Sequence, residues 1–254
     1  FDLPLAATLP LRFDPDTPVN VDLHTNAQSV GLFPLFFPNY VQKSHAQLNL
    51  DLKLTGTWQQ PILQGDFHLL DAKAFLPAVG IQLDSIELQG KITDNHIEIV
   101  TLQCKSGKGE LKGNGHLELQ NWYPTNYHLQ LKGKNFQLFN LPELQLNATP
   151  DLTIEGTGEN IKVRGQLKLP YVKIYGQQKV GDITNSKDLK IVGSTLHPTE
   201  EKTLKYDIDV QLFLGKEVFL HAIGINARLG GDLRIQSTRA QKLVGHGKLY
   251  VIQG

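Results

Sequence analysis

A single cysteine, Cys104, stands in 254 residues, so no internal disulfide can brace the chain, and a small half-buried strand thiol is the expectation for it. Charge of one sign is also lacking in excess. Twenty-five basic residues balance 25 acidic ones and no stretch concentrates either, which removes the electrostatic footprint of a nucleic-acid binder. No apolar run has the length of a membrane-spanning helix, and no signal peptide opens the chain. Methionine is missing altogether and the sequence starts Phe1-Asp2-Leu3-Pro4, so it reads as a piece of a longer protein whose targeting and anchoring segments lie elsewhere. Helical periodicity is nearly absent too.

Catalytic and metal-binding patterns are missing as well. His68, His116 and His128 fall on the polar phase of their strands, without a Cys, Asp or Glu at ligand spacing. Asp14 and Asp16 flank Pro15 and read as turn formers. Gly107-Lys108-Gly109 with Gly113 is no phosphate loop, because Asn114 and another strand follow where Ser or Thr and a helix are needed. No serine sits in a nucleophile elbow and no motif pairs two carboxylates. The expectation is a protein that is not an enzyme and has neither cofactor nor metal.

What the chain has is alternation. Leu48, Leu50, Leu52 and Leu54 alternate with Asn49, Asp51 and Lys53; Leu129 and Leu131 with His128, Gln130 and Lys132; Ile208, Val210 and Leu212 with Asp207, Asp209 and Gln211. Successive strand side chains point to opposite faces, so each run has one aliphatic face and one polar face. With no amphipathic helix to cover the aliphatic side, its cover must be a second sheet, the same sheet curled over, or a bound apolar ligand.

The spacing predicts an irregular segment over residues 1–45 and one continuous β-domain over 46–254. The first part contains a short strand at Val19 to Leu23, a brief helix capped by Asn26 and running to about Phe33, and an apolar plug of Leu32, Phe33, Leu35, Phe36 and Phe37. From Ala46 onward roughly sixteen strand-like runs follow, most of them read as ending at glycine turns such as Gly56, Gly65, Gly90, Gly113, Gly133, Gly156, Gly165, Gly215 and Gly245. The phrase Gly-x-apolar-x-apolar recurs at Gly65, Gly115, Gly165 and Gly231. The apolar phase slips between Leu83 and Ile86 and between Ile99 and Leu102, which demands a β-bulge or a break at each. The polar stretch from Gln177 to Lys205 reads as an excursion loop around a short strand at Leu189 to Val192.

Three groups of residues resemble the C-terminal part of the TamB family, relatives of the AsmA-like bridge proteins. They are Gly56-Thr57-Trp58-Gln59-Gln60-Pro61-Ile62-Leu63-Gln64-Gly65 followed by Leu76-Pro77-Ala78-Val79-Gly80-Ile81-Gln82-Leu83; Thr149-Pro150-Asp151-Leu152 with Gly165-Gln166-Leu167-Lys168-Leu169-Pro170; and Leu214-Gly215-Lys216-Glu217-Val218 with Gly224-Ile225-Asn226-Ala227-Arg228-Leu229-Gly230-Gly231-Asp232-Leu233. The order and spacing of these segments carry the resemblance, which runs from about Gly31 to Gly254. The chain departs from the family by stopping before the final strands.

The resemblance implies an all-β fold, an elongated curled sheet (a β-taco, or open half-pipe) with an apolar interior groove. It also implies a periplasmic location, a parent protein anchored in the inner membrane, phospholipid acyl chains as cargo, and docking on an outer-membrane barrel protein of the TamA/BamA type through the missing C-terminal part. An alternative role in this family is a scaffold for assembling outer-membrane proteins and autotransporters by β-strand pairing. In such a half-pipe the alternation assigns Leu50, Leu52, Leu69, Ile99, Leu117, Leu129, Leu131, Leu152, Ile154, Leu167, Ile174, Ile208, Val210, Leu233 and Ile235 to the inner wall. Sixteen strands stacked at about 4.8 Å each would extend roughly 75 Å.

Overall fold

In the computed structural model, which describes residues 16–30, 41–120, 123–158, 160–176, 205–222, 224–237 and 242–254, the alternating runs become thirteen strands. They are β1 (Val21–Val30), β2 (Gln42–Gly56), β3 (Pro61–Leu76), β4 (Ile81–Thr93), β5 (His96–Ser106), β6 (Gly109–Gln120), β7 (Tyr123–Lys134), β8 (Phe136–Asn140), β9 (Leu144–Thr157), β10 (Asn160–Tyr175), β11 (Lys205–Ala222), β12 (Ile225–Ser237) and β13 (Leu243–Gln253). All belong to one sheet, in the order β1 to β7 and then β9 to β13, with β8 beside β9. The sheet does not close: β1 and β13 are its two edges, each hydrogen-bonded to a single neighbour. Twelve strands in file give a length of about 53 Å at the usual interstrand spacing.

The strands are fewer and longer than the sequence spacing suggests. Of the glycines read as turns, Gly56 does end β2 at a turn, whereas the others, from Gly65 to Gly245, lie within strands. True turns sit instead at residues such as Asp94-Asn95 and Gly107, where φ is positive. Gly65 and Gly165 explain why glycine recurs inside strands. Their φ values are +136° and +132°, and an added Cβ would lie 1.9 Å from the Asp51 carbonyl oxygen and 2.2 Å from that of Asp151. Only a residue without a side chain adopts that backbone there.

Asn26 does not cap a helix. It lies in the middle of β1 and pairs with Asn49 of β2, because Val21, Leu23 and Ala27 continue the period-two pattern against Leu54, Leu52 and Leu48. The remainder of the expected helix and its apolar plug, Leu32 to Phe37, lies outside the described residues. So does the expected strand at Leu189 to Val192. The sheet therefore reaches ahead of Ala46, through β1 and the start of β2.

Neighbouring strands run antiparallel except for β10 and β11, which pair in parallel from Asn160↔Lys205 onward. Irregularities fall in line on either side of β5 to β7. Register shifts lie at His45/Gln47, Leu69/Ala72 and Asp84/Glu87 in the pairings from β2 to β5 and at Lys168/Tyr171 and Leu214/Phe219 in β9–β10 and β11–β12, and Asp71, Ser85 and Asn135 on this line have positive φ. Each bulge bends its strand, and bulges aligned across a sheet crease it. The crease divides a long arm, containing β5 to β7 and the greater part of β3 and β9 to β12, from a short one. In the short arm β8 takes the place vacated by β5 and β6, its Asn140 N–H donating to the Val79 carbonyl across a 2.9 Å bond.

The inside of the crease is the aliphatic side. Ala148, Leu169, Val172 and Val218 are buried together there with Leu144 and Leu146 of the short arm and Leu167 and Leu214 of the long arm. A second cluster joins Ala46, Leu69 and Ala72 to Leu48, Ile86 and Leu88. Alanines at the bend let the arms approach. Away from the crease burial is mostly partial; the residues sealed below 2% exposure among those described are Ala46, Ala72 and Ala148 at the bend and Ser106 at the end of β5.

Candidate functional site: the aliphatic face

Residues directly opposite one another in a ladder share a face, so the register fixes which side chains lie together. One ladder runs Leu50, Phe67, Gly90, Ile99, Gly115, Leu129, Ile154, Val163 and Ile208 from β2 to β11. A second runs Leu48, Leu69, Leu88, Leu102, Gly113, Leu131, Leu152, Gly165, Val210 and Ile235. A third, nearer the long-arm rim, contains Leu52, Ile92, Ile97, Leu117, Tyr127, Ile161 and Tyr206. Leu167 and Leu233 share a fourth with Pro150 and Leu212. Ile174 lies beyond the crease, between Leu144 and Leu220.

All fifteen residues assigned from the alternation thus share the phase of one face. Leu69 and Val210 are buried, Ile174 is exposed, and the other twelve are half-buried. Phe67, Ile92, Ile97, Ile161, Val163 and Tyr127 stand on the same ladders and were not among them. Their own alternation, as in Ile161-x-Val163 and Tyr127-x-Leu129, was the available signal.

Large side chains on this face lie over glycines of the next strand. A Cβ on Gly90 would meet the Phe67 ring at 2.3 Å, one on Gly113 would meet Leu131 at 2.7 Å, and one on Gly156 would meet the Tyr127 ring at 1.9 Å. Glycine alternating with leucine or an aromatic residue flattens the relief of the face and lets the sheet curl toward it without overpacking.

Cys104 lies on this face near the crease, and burial pushes its thiol up to about 11. It stays protonated at neutral pH and should react with thiol reagents at least about tenfold more slowly in the native chain than after unfolding in urea. Timed alkylation read by mass spectrometry checks this.

The opposite face is charged. A ladder there reads Asp66, Lys91, Glu98, His116, His128, Glu155, Lys162 and Asp207, alternating sign at most steps. The rings of His96, His116 and His128 stack at 5.5 and 5.6 Å, and His128 Nδ1 stands 3.4 Å from Glu155. No cluster of His, Cys, Asp or Glu among the described residues is arranged to hold a metal. A concavity of about 500 Å³ at the ends of β9 to β11 is lined by Glu155, Thr157, Asn160, Lys162, Lys205 and Asp207 together with Ile161 and Tyr206.

Arg234 grips Asp209 with two hydrogen bonds of 2.7 Å and holds its carboxyl below the ordinary value of 3.8. A carboxyl depressed by folding stabilises the sheet above its unfolded pKa, and that contribution disappears as pH falls through the lower folded value. Wild type and Asp209→Asn should therefore differ by a small step in Tm at about pH 6, and the difference should shrink as the pH falls below the ordinary carboxylate range. Thermal melts across that range check it.

A single open sheet, curled about an aliphatic face with charged side chains on its back, is neither a sandwich nor a closed barrel; it is an elongated β-scaffold. A family model for the TamB C-terminal domain matches residues 100–254, more than half of the chain, and the chain belongs to the TamB family. A curated relative, the translocation and assembly module subunit TamB of Haemophilus influenzae, is 21% identical over 208 residues, covering 74% of this chain and 15% of its own length. No solved structure matches the chain.

Proposed function

We propose that the aliphatic face shields phospholipid acyl chains in a groove along the inner side of the long arm, and that the chain is a periplasmic segment of an intermembrane bridge moving lipid between inner and outer membranes. The observation carrying this reading is the apolar ladder from Leu50 to Ile208, whose side chains are half-buried rather than sealed and which only the glycines Gly90 and Gly115 interrupt. Removing methylenes from water is worth about 0.8 kcal/mol each, on the order of 12 kcal/mol for a sixteen-carbon chain fully covered. Successive strands present nearly the same surface, so a bound chain meets many sites of similar energy and no deep trap. The charged head group stays in water at the rim. The parent protein, anchored in the inner membrane, docks through other parts on an outer-membrane barrel.

The purified chain should carry phospholipid. Organic extraction followed by mass spectrometry is the test, and an extract from native protein free of phospholipid would reject the reading.

One observation favours a second role, the pairing of client strands during assembly of outer-membrane proteins. Edge strand β13 exposes Leu243, Leu249, Tyr250, Val251 and Ile252, and among the described residues no strand lies beside its outer backbone groups. An edge of this kind accepts an added strand. Photo-cross-linkers at Leu249 should then capture a β-strand peptide, while those at Leu131 should capture lipid.

A further inference from the structure

The outer ladders change character beyond β9. From β2 to β9 they are mainly polar, with Ile62, Leu70, Phe75 and Tyr123 as exceptions, whereas on β10 to β13 they present five aromatic residues, Tyr171, Tyr175, Phe213, Phe219 and Tyr250. Tyr175 stacks on His221 at 5.1 Å, Phe219 lies 6.5 Å from the same ring, and Lys173 Nζ sits 5.0 Å over Tyr175. Lys173, Phe219 and Arg228 form one ladder row, and Tyr175, His221 and Asn226 form the row nearest the short-arm rim.

At that rim the inner face is uncovered as well. Ile225 is 57% exposed and Ile174 38%, so the edge formed by the ends of β10, β11 and β12 carries exposed apolar or aromatic side chains on both sides, with the His221–Asn226 pair beside Tyr175 on the outer one. A flat protein partner covers one side of such an edge. A fluid apolar medium covers both.

We propose that this short-arm rim inserts into the headgroup region of an anionic lipid bilayer, with Ile174, Ile225, Tyr175 and Phe219 entering and Lys173 and Arg228 meeting lipid phosphates. The spacing fits. The two cations stand two to three residues behind the rim, about 7 to 10 Å at strand rise, which matches the depth of a shallow interfacial insertion of about 5–10 Å. Aromatic side chains with one polar end favour that layer, and long cationic side chains extend from it toward phosphate. The hydrogen bond from Lys173 to Tyr175 raises the lysine pKa above its ordinary value, keeping the ammonium charged. This inference is independent of acyl-chain carriage, which concerns the inner face of the long arm.

The test is flotation of the intact chain with vesicles of phosphatidylcholine, with or without phosphatidylglycerol. Binding should require phosphatidylglycerol and fall by at least about tenfold in the double variant Lys173→Glu, Arg228→Glu, at about 1 kcal/mol for each cation near the surface. Lys132→Glu, on the outer face of the long arm, should bind as wild type. A fluorophore on Tyr175→Cys, where buried Cys104 does not compete for label, should shift to the blue on binding. Three results would overturn the proposal: no dependence on phosphatidylglycerol, an equal loss in Lys132→Glu, or a fluorophore at position 175 that shows no blue shift when the chain floats with the vesicles. Phospholipid retained by the double variant would leave the groove reading standing by itself.

Discussion

Ile154→Asp should abolish lipid retention while leaving the β-sheet spectrum unchanged. Ile154 sits mid-sheet on the long arm, between Leu129 and Val163 in its ladder and half-buried, so the substitution removes no sealed packing. A carboxylate there would have to lose water beneath a passing acyl chain. Placing an aspartate in an apolar environment costs about 3 kcal/mol, roughly a hundredfold in occupancy. Leu131→Arg, one ladder over and facing Leu152, should act the same way. Far-UV circular dichroism beside quantified phospholipid in the extract checks both. Full lipid content with folded sheets would remove the groove reading.

The second large effect is on stability. Gly165→Val should destabilise the β9–β10–β11 region by about 3 kcal/mol or more, through a backbone conformation closed to valine and a Cβ pressed into β9. The position pairs with Leu152 on one side and Val210 on the other, so the damage falls where antiparallel and parallel pairing meet. Limited proteolysis should then cut β9 to β11 at a temperature at which the wild type resists. Gly158→Val makes the contrast. Gly158 also has positive φ, at +58°, but its Cβ would meet nothing within 4 Å, so the cost should be about 1–2 kcal/mol from backbone strain alone.

These two positions mark the boundary of what alternation reveals. Ile154 belongs to a period-two run, and its face follows from chain geometry alone. Gly165 also belongs to such a run, yet a glycine followed by apolar residues has two local readings, a turn or a close backbone approach, and only the neighbouring strand decides between them. The phase slips after Leu83 and Ile99 were legible and correspond to register shifts at Asp84/Glu87 and Ile99/Leu102. That such irregularities line up into a crease was not, because alignment depends on register between strands distant in sequence. Asn26 misleads for a related reason. A capping residue before a short apolar stretch is a local helix signal, and pairing with β2 overrides it. The aromatic outer face is not legible because Tyr171, Tyr175, Phe219 and Tyr250 occupy polar-phase positions on three separate strands, and the sheet alone places those strands side by side.

The parallel joint between β10 and β11 has an evolutionary corollary. Everywhere else a whole hairpin can be added or deleted without reversing the direction of any later strand or turning its oily side outward, so the scaffold can change length in steps of two strands, each step contributing about 10 Å. At the joint the parity rule is broken, and a single-strand unit can be gained or lost there instead. Homologues of different reach should therefore differ by even numbers of strands, except where a same-direction seam has been inserted or removed.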